Sequence, residues 1–182
     1  SDLTGMDIAN ASLLDEATAA AEAMSMACNA LRGKRSTLAL IDDINQQTIN
    51  VVKTRAEPLE IKIKEASSPE ITIDEDIFAV MIQYPSRSGI IRDYSKLVDE
   101  AHANGSLVIV VADLMSLCLL KSPGSWGADI VIGNSQRFGV PMGFGGPHAA
   151  FISTKDKFKR NLPGRLIGVS KDSHGNDALR LA

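Results

Sequence analysis

Apolar and polar residues change their period several times along the chain, and each period predicts a different element. From Asp15 to Leu31 the apolar side chains Ala17, Ala20, Ala21, Met24, Ala27, Cys28 and Leu31 return at helical spacing. Alanine is the best helix former, and Gly33 can end the segment. Ser36 to Ile41 reads as a short buried strand. Ile44 to Arg55 is again helical, with Ile44, Thr48, Val51, Val52 and Arg55 along one side, and Pro58 breaks it. Leu59, Ile61 and Ile63 then alternate with Glu60, Lys62 and Lys64, the period-two pattern of a half-buried strand.

Ser67-Ser68-Pro69 marks a loop. Ile77 to Tyr84 is almost continuously apolar and ends at Pro85, as a strand buried on both faces should. A turn over Ser86 to Gly89 precedes a helix carrying Tyr94, Leu97, Val98 and Ala101, closed near Asn104-Gly105. Leu107 to Ala112 is a second buried strand. A short helix from Leu114 to Leu120 is expected to stop at Ser122-Pro123-Gly124. Asp129 to Ile132 is a strand that leads into a glycine-rich loop from Gly133 to Gly146. Ala149 to Ile152 and Leu166 to Val169 are two further strand candidates. Alternating helices and strands with short connections imply an α/β fold with a mostly parallel central sheet and flanking helices. No repeat or low-complexity tract divides the chain, so residues 1–182 are read as a single domain.

Composition narrows the partners. Hydrophobic residues make up 45% and charged residues 23% of the 182, the mix of an ordinary globular domain. Aromatics are only 4%, so the core must rest on Ala, Val, Ile, Leu and Met. The net charge of −3 implies no basic face for nucleic acid. Lys155, Lys157, Lys159 and Arg160 form a short basic run, read as a solvated helix face. No apolar stretch reaches membrane-spanning length; Leu107 to Ala112 is too short and ends at Asp113. The start, Ser1-Asp2-Leu3-Thr4-Gly5, has no signal-peptide pattern. There is no initiating Met, and Arg180-Leu181-Ala182 stops in mid-pattern, so a truncated piece of a larger chain is expected. Cys28 and Cys118 sit in apolar helical contexts and are read as small hydrophobes in a reducing compartment.

Ligands of open α/β sheets bind beyond the carboxyl ends of the strands. Asp113 lies there, at the end of LVIVVA. It can pair with a cation, hydrogen-bond a protonated ring nitrogen, or cap the helix expected at Leu114. The Gly133 to His148 segment lies there too, and its glycines permit close backbone approach. It is neither a GxxxxGK[ST] phosphate loop nor a dinucleotide fingerprint. The first helix could offer its amino terminus to an anion, but Asp15 and Glu16 already satisfy that end and repel phosphate. His102 on its helix and His174 in a polar tail are expected at the surface, whereas His148, after Gly-Gly-Pro, adjoins the loop. No metal-ligand spacing, GxSxG elbow or Cys-His pair is present.

Four strings carry a family resemblance: DLTGMDIANASLLDEATAAAEAM, QTINVVKTRAE, VVADLMSLCLLKSPGSWGADIVIGNSQRFGVPMGFGGPHAAF and LPGRLIGVSKDSHGNDALR. They resemble the amino-terminal half of the glycine decarboxylase P-protein family (glycine dehydrogenase, aminomethyl-transferring). The likeness covers nearly the whole chain and is less distinctive over 59–92. It implies much of the large domain of the aspartate-aminotransferase (type I) pyridoxal-phosphate fold. It also implies an oxidoreductase parent of the glycine cleavage system. That parent decarboxylates glycine with pyridoxal phosphate and passes the aminomethyl group to lipoyl H-protein. Its carboxyl-terminal half or subunit binds the cofactor. The compartment would be the cytoplasm in a bacterium and the mitochondrion in a eukaryote.

In that fold an Asp at a strand end contacts the pyridine nitrogen, and Asp113 stands at that point. A lysine after the next strand forms the Schiff base. Here the matching region reads Asn134-Ser135-Gln136-Arg137-Phe138, with no lysine from Ser122 to Thr154. Arginine stays protonated and makes a poor imine nucleophile. No cofactor and no catalytic residue is therefore expected on this chain, with Asp113 vestigial. Ser135, Gln136, Arg137, Gly145, Gly146 and His148 become candidates to face the partner half or the substrate channel. Two alternatives stand beside this: a purely structural domain, or an independent binder of pyridoxal phosphate or a nucleotide.

Overall fold

The apolar runs assemble into one sheet because runs without alternation must be covered on both faces. In the computed structural model, which describes residues 1–67 and 70–181, the elements follow in order. They are β1 (Ile8–Ala9), α1 (Glu16–Ala30), β2 (Thr37–Ile41), α2 (Gln46–Ala56), β3 (Lys62–Ala66), β4 (Ile77–Tyr84), α3 (Ser95–Ala103), β5 (Leu107–Asp113), β6 (Ile130–Asn134), β7 (Ala150–Thr154), β8 (Ile167–Lys171) and β9 (Asp177–Leu181). Two residues of the expected Ser67-Ser68-Pro69 loop, Ser68 and Pro69, lie outside the described residues, as does Ala182.

Seven strands form one sheet in the order β1-β7-β6-β5-β4-β2-β3. Every neighbouring pair from β6 to β3 is parallel, and β7 runs against both β6 and β1. One face carries Leu38, Leu40, Phe78, Met81, Ile109, Val111, Ile130 and Ile132 under α1 and α2. The other carries Ala39, Ile41, Val80, Ile82, Val108, Val110 and Val131 under Leu97, Val98 and Ala101 of α3. The expected α/β class is what forms. Ala19, Ala20, Ala21, Ala23 and Ala27 of α1 are all fully buried, so this helix lies close upon the sheet. Gly133 allows a similar approach between strands: a Cβ there would stand 2.3 Å from the Ala112 carbonyl oxygen.

Two of the expected elements are corrected. The strand expected at Leu59–Lys64 begins later, at Lys62, because Glu57–Leu59 makes a 3₁₀ turn closed by Glu60 in the left-handed region (φ 55°). The helix expected from Leu114 to Leu120 shrinks to a 3₁₀ turn at Ser116–Cys118. There the Ser116 hydroxyl donates to the Asp113 carbonyl (2.7 Å) and the Asp113 carboxylate takes the Met115 N–H (3.3 Å). Both bonds compete with a helical ladder. Cys118 consequently lies exposed, while Cys28 packs half-buried on α1, and both are free thiols. The strand candidate at Leu166–Val169 does form, as Ile167–Lys171, and pairs with β9 outside the main sheet, with His174 in the connecting turn.

The amino-terminal edge of the sheet is held by a buried carboxylate. Asp129, whose side chain is 1% exposed, precedes β6. It accepts from Lys155 Nζ at 2.7 Å and from the Val108 N–H at 3.0 Å, and His102 Nε2 lies 2.8 Å away. One expectation changes with it: Lys155 leaves the solvated basic run to meet this carboxylate, while His102 stays at the surface, as expected, with one ring nitrogen against the same group. Burial raises the Asp129 pKa, but Lys155, His102 and the Val108 amide outweigh it and hold the carboxyl below the ordinary carboxylate range. A depressed folded pKa gives stability that is present above the unfolded carboxyl pKa and lost as pH falls through the folded one. Asp129→Asn should therefore destabilise the protein by about 3 kcal/mol at pH 7. The deficit should shrink below about pH 4, where the unfolded carboxyl takes up its proton. Urea midpoints at the two pH values check it, with the m-value unchanged.

Candidate functional site

At the opposite edge the parallel strands end in polar residues. Gln83 is the penultimate residue of β4, Asp113 closes β5 and Asn134 closes β6, with Asp113 and Asn134 paired in register. The amino terminus of α1 points at the same place. Asp15 caps that helix, accepting the Thr18 N–H at 2.7 Å from an extended backbone, and this frees Glu16 to turn toward the strand ends.

Glu16 is the hub of a small web. Asn134 Nδ2 donates to Glu16 Oε2 at 2.9 Å, and Asn45 Nδ2 reaches Glu16 Oε1 at 3.5 Å. Asn45 stands at the N-cap of α2 but spends its side chain on Glu16 rather than on its own helix. Its backbone N–H donates to Gln83 Oε1 at 2.7 Å. Asn134 Oδ1 accepts the Gln136 N–H at 3.1 Å. Burial raises the Glu16 pKa, the amides of Asn45 and Asn134 pull it back, and the Asp113 and Asp15 charges add to the rise.

Asp113 is held differently. The Arg137 guanidinium forms an ion pair with Asp113 Oδ2 through Nη1. Together these residues line a cavity of about 480 Å³, walled by Val111, Ala112, Val140 and Met142. A second cavity of about 500 Å³ lies behind the Glu16, Asn45 and Asn134 wall and includes His148 and Thr48.

Of the candidates from sequence, Gln136 and Arg137 enter the main cavity beside Asp113, and His148 enters the second. Ser135 instead closes the base of the loop, giving its N–H and its hydroxyl to the Ala149 carbonyl (2.8 and 3.2 Å). Gly145 and Gly146 carry positive φ (87° and 74°) at the exposed tip beside Phe144. Phe144 itself has φ 54° with its ring fully exposed. Sequence reasoning placed Glu16 on the helix cap alone and did not single out Asn45, Gln83 or Asn134. The one usable signal was Gln83, a lone polar residue in an otherwise apolar strand.

Exposed apolar side chains gather on this edge. Ile90 and Ile91 follow β4, Leu119 follows β5, and Phe138, Met142 and Phe144 follow β6. Among the described residues no group of His, Cys, Asp and Glu is arranged to hold a metal, and no helix is long and apolar enough to cross a membrane.

A sheet of this order with a polar cavity at its carboxyl edge defines the type I pyridoxal-phosphate fold. A putative O-acetylhomoserine (thiol)-lyase from Campylobacter jejuni, solved with N'-pyridoxyl-lysine-5'-monophosphate, superposes with a TM-score of 0.68. The alignment covers 89% of this chain and 40% of that one, and at 16% identity it is a likeness of fold alone. The chain belongs to the glycine cleavage system P-protein family, whose model matches residues 1–182. A crystal structure of glycine decarboxylase (P-protein) of the glycine cleavage system, in inhibitor-bound form, superposes with a TM-score of 0.92 at 36% identity. That alignment covers 100% of this chain and 42% of the other. The mitochondrial glycine dehydrogenase (decarboxylating) of Dictyostelium discoideum is 56% identical over 183 residues, which is 100% of this chain and 18% of that protein. Glycine dehydrogenase (decarboxylating) of Stenotrophomonas maltophilia (strain R551-3) is 56% identical over 180 residues, 99% of this chain and 19% of that protein. The chain thus spans under a fifth of the length of these curated relatives.

The Glu16 web makes one prediction. Asn134 lowers the Glu16 pKa by donating to its charged form, so Asn134→Ala should raise it further. Side-chain carboxyl chemical shifts followed through a pH titration should place the Glu16 midpoint above the ordinary glutamate range in the unsubstituted protein and higher still in the variant. An unmoved midpoint in the variant sinks this account of the web.

Proposed function

We infer that the parent of this chain decarboxylates glycine and transfers the aminomethyl group to the lipoyl arm of H-protein. In this reading the chain is the half of P-protein that holds no cofactor and helps to form the active site from across an interface with the other half. Pyridoxal phosphate supplies the electron sink for decarboxylation when bound to that other half. The compartment is the cytoplasm in a bacterial parent and the mitochondrion in a eukaryotic one.

The observation that carries the reading is the Arg137–Asp113 ion pair. Arg137 stands in the region where the fold's Schiff-base lysine is expected. The carboxylate expected to contact a pyridine nitrogen instead holds a guanidinium. Among the described residues no lysine lines the cavity, and Glu16 faces the corner where a phosphate would meet α1. The residues present therefore do not fit pyridoxal phosphate. What they do is pin the start of the loop: Arg137 anchors to β5, Ser135 anchors to Ala149, and the segment between Gly139 and Gly146 projects. An exposed aromatic held at positive φ is costly unless a partner covers it. Phe144 and its apolar neighbours fit a surface that another part of P-protein occupies.

Arg137→Ala in the full parent protein tests this. Losing a charge-assisted contact should lower glycine-dependent carbon dioxide release by about tenfold or more. Cofactor content and assembly state should not change. Unchanged turnover with unchanged assembly would make the chain a structural domain only. Titration of the parent with pyridoxal phosphate should show imine absorbance for one site per pair of halves. A second saturable band, lost when a lysine of this chain is replaced, would falsify the cofactor-free reading.

A further inference from the structure

The cavity has lost the features that would hold a phosphate, yet it has not closed. Its volume of about 480 Å³ lies within the range of small-molecule sites. Its charges are unevenly matched. Among the described residues Arg137 is the one cation lining it, and it is paired with Asp113. Glu16 has no cation within salt-bridge reach among the described residues; its partners are the neutral amides of Asn134 and Asn45. A part-buried carboxylate facing a cavity with amide donors alone is an incomplete arrangement, because an opposite charge would complete it at lower cost than water does.

The geometry points to a small zwitterionic amino acid as the ligand of this cavity, its ammonium at Glu16 and its carboxylate at Arg137. Each end has a stated partner. An ammonium has three donors, and each Glu16 oxygen keeps lone pairs beyond its single amide bond. Gln83, whose Oε1 already accepts from Asn45, lines the same wall with its amide. Arg137 spends Nη1 on Asp113, and the rest of its planar fork is suited to a second carboxylate.

Competing ligands fit less well. A phosphate or other dianion meets two carboxylates and one neutralised guanidinium. A metal ion needs convergent oxygens, but Asn134 and Asn45 turn their N–H groups toward Glu16, and Asn134 Oδ1 is occupied by the Gln136 amide. An apolar ligand would desolvate Glu16 further and leave its charge met by neutral amides alone. Val111, Ala112, Val140 and Met142 supply apolar wall beside these two charged ends. The site is separate from the one where the parent is inferred to react glycine, and it rests on the reading that this half carries no cofactor.

The experiment uses the full parent protein after borohydride reduction has fixed its cofactor, so that glycine no longer exchanges there. Equilibrium dialysis with labelled glycine should then find one saturable site per copy of this chain. Methylammonium should displace the glycine and acetate should do so poorly. Glu16→Gln keeps the shape and an acceptor for Asn134, and should weaken glycine and methylammonium alike by about tenfold or more. Arg137→Gln should weaken glycine but not methylammonium, a split that general loosening of the fold would not produce. Absence of saturable glycine from the reduced protein would overturn the proposal, as would binding indifferent to Glu16→Gln. Cofactor stoichiometry measured before reduction separates the two failures. One cofactor per pair of halves without glycine binding refutes only this site, whereas two cofactors refute the cofactor-free reading beneath it.

Discussion

The constraint on which the structure depends is that β2, β4, β5 and β6 are covered on both faces. Leu38, Phe78, Ile109 and Ile130 serve one layer, and Ile41, Ile82, Val110 and Val131 serve the other. No position in the middle of these strands can bear an unpaired polar group without a desolvation penalty. Chemistry is thereby driven to the two edges of the sheet, where strands begin and end. The alanine face of α1 follows from the same constraint. Small side chains let the helix axis approach the sheet, and that approach carries its amino terminus, with Asp15 and Glu16, to the ends of the strands.

The two edges use carboxylates in opposite ways. At the amino-terminal edge Asp129 is sealed and fully matched by Lys155, His102 and a backbone amide, so its negative charge is favoured and it fastens β5, β6, α3 and the end of β7. At the carboxyl edge Asp113 is matched by one arginine that is 61% exposed, and Glu16 by neutral amides. Burial pushes Glu16 toward its neutral form while Asp129 is held in its charged form. A matched buried carboxylate is structural. An under-matched one beside a cavity is a candidate binding group.

Much of this was legible in the sequence because the signals are periodic. The apolar runs at Ile77–Tyr84 and Leu107–Ala112 and the alanine spacing of α1 announce their elements without tertiary knowledge. What was not legible depends on contacts far apart in the chain. β1 is two residues long and exists only because β7 supplies an edge to pair with. β9 lacks an apolar run, since its partner is the exposed hairpin strand β8 and not the core. The Leu114–Leu120 pattern reads as a helix until the Asp113 carboxylate and the Ser116 hydroxyl claim its first hydrogen bonds. Asn45 and Asn134 look like ordinary loop asparagines; only the fold brings both to Glu16, and Asn134 does so from 118 residues away. Lys155 looks like a surface charge for the same reason.

An arginine in the region where the fold's lysine is expected is, in the proposed reading, more than a missing nucleophile. A neutral lysine amine is useful in a site because its pKa can be lowered; a guanidinium cannot be neutralised in that way and must find an anion. Asp113 is that anion, and once paired it no longer offers a free carboxylate to a ring nitrogen. The pair in turn fixes the first turn of the loop, so Gly139 and the glycines at its tip determine where Phe144 projects. Glu16 completes the change at the other end of the cavity, where a phosphate would be repelled. Placing lysine at residue 137 alone would therefore leave Glu16 opposing a phosphate and the loop without its anchor. In the proposed reading the misfit to the cofactor is a property of the whole cavity, held by two charges on opposite walls.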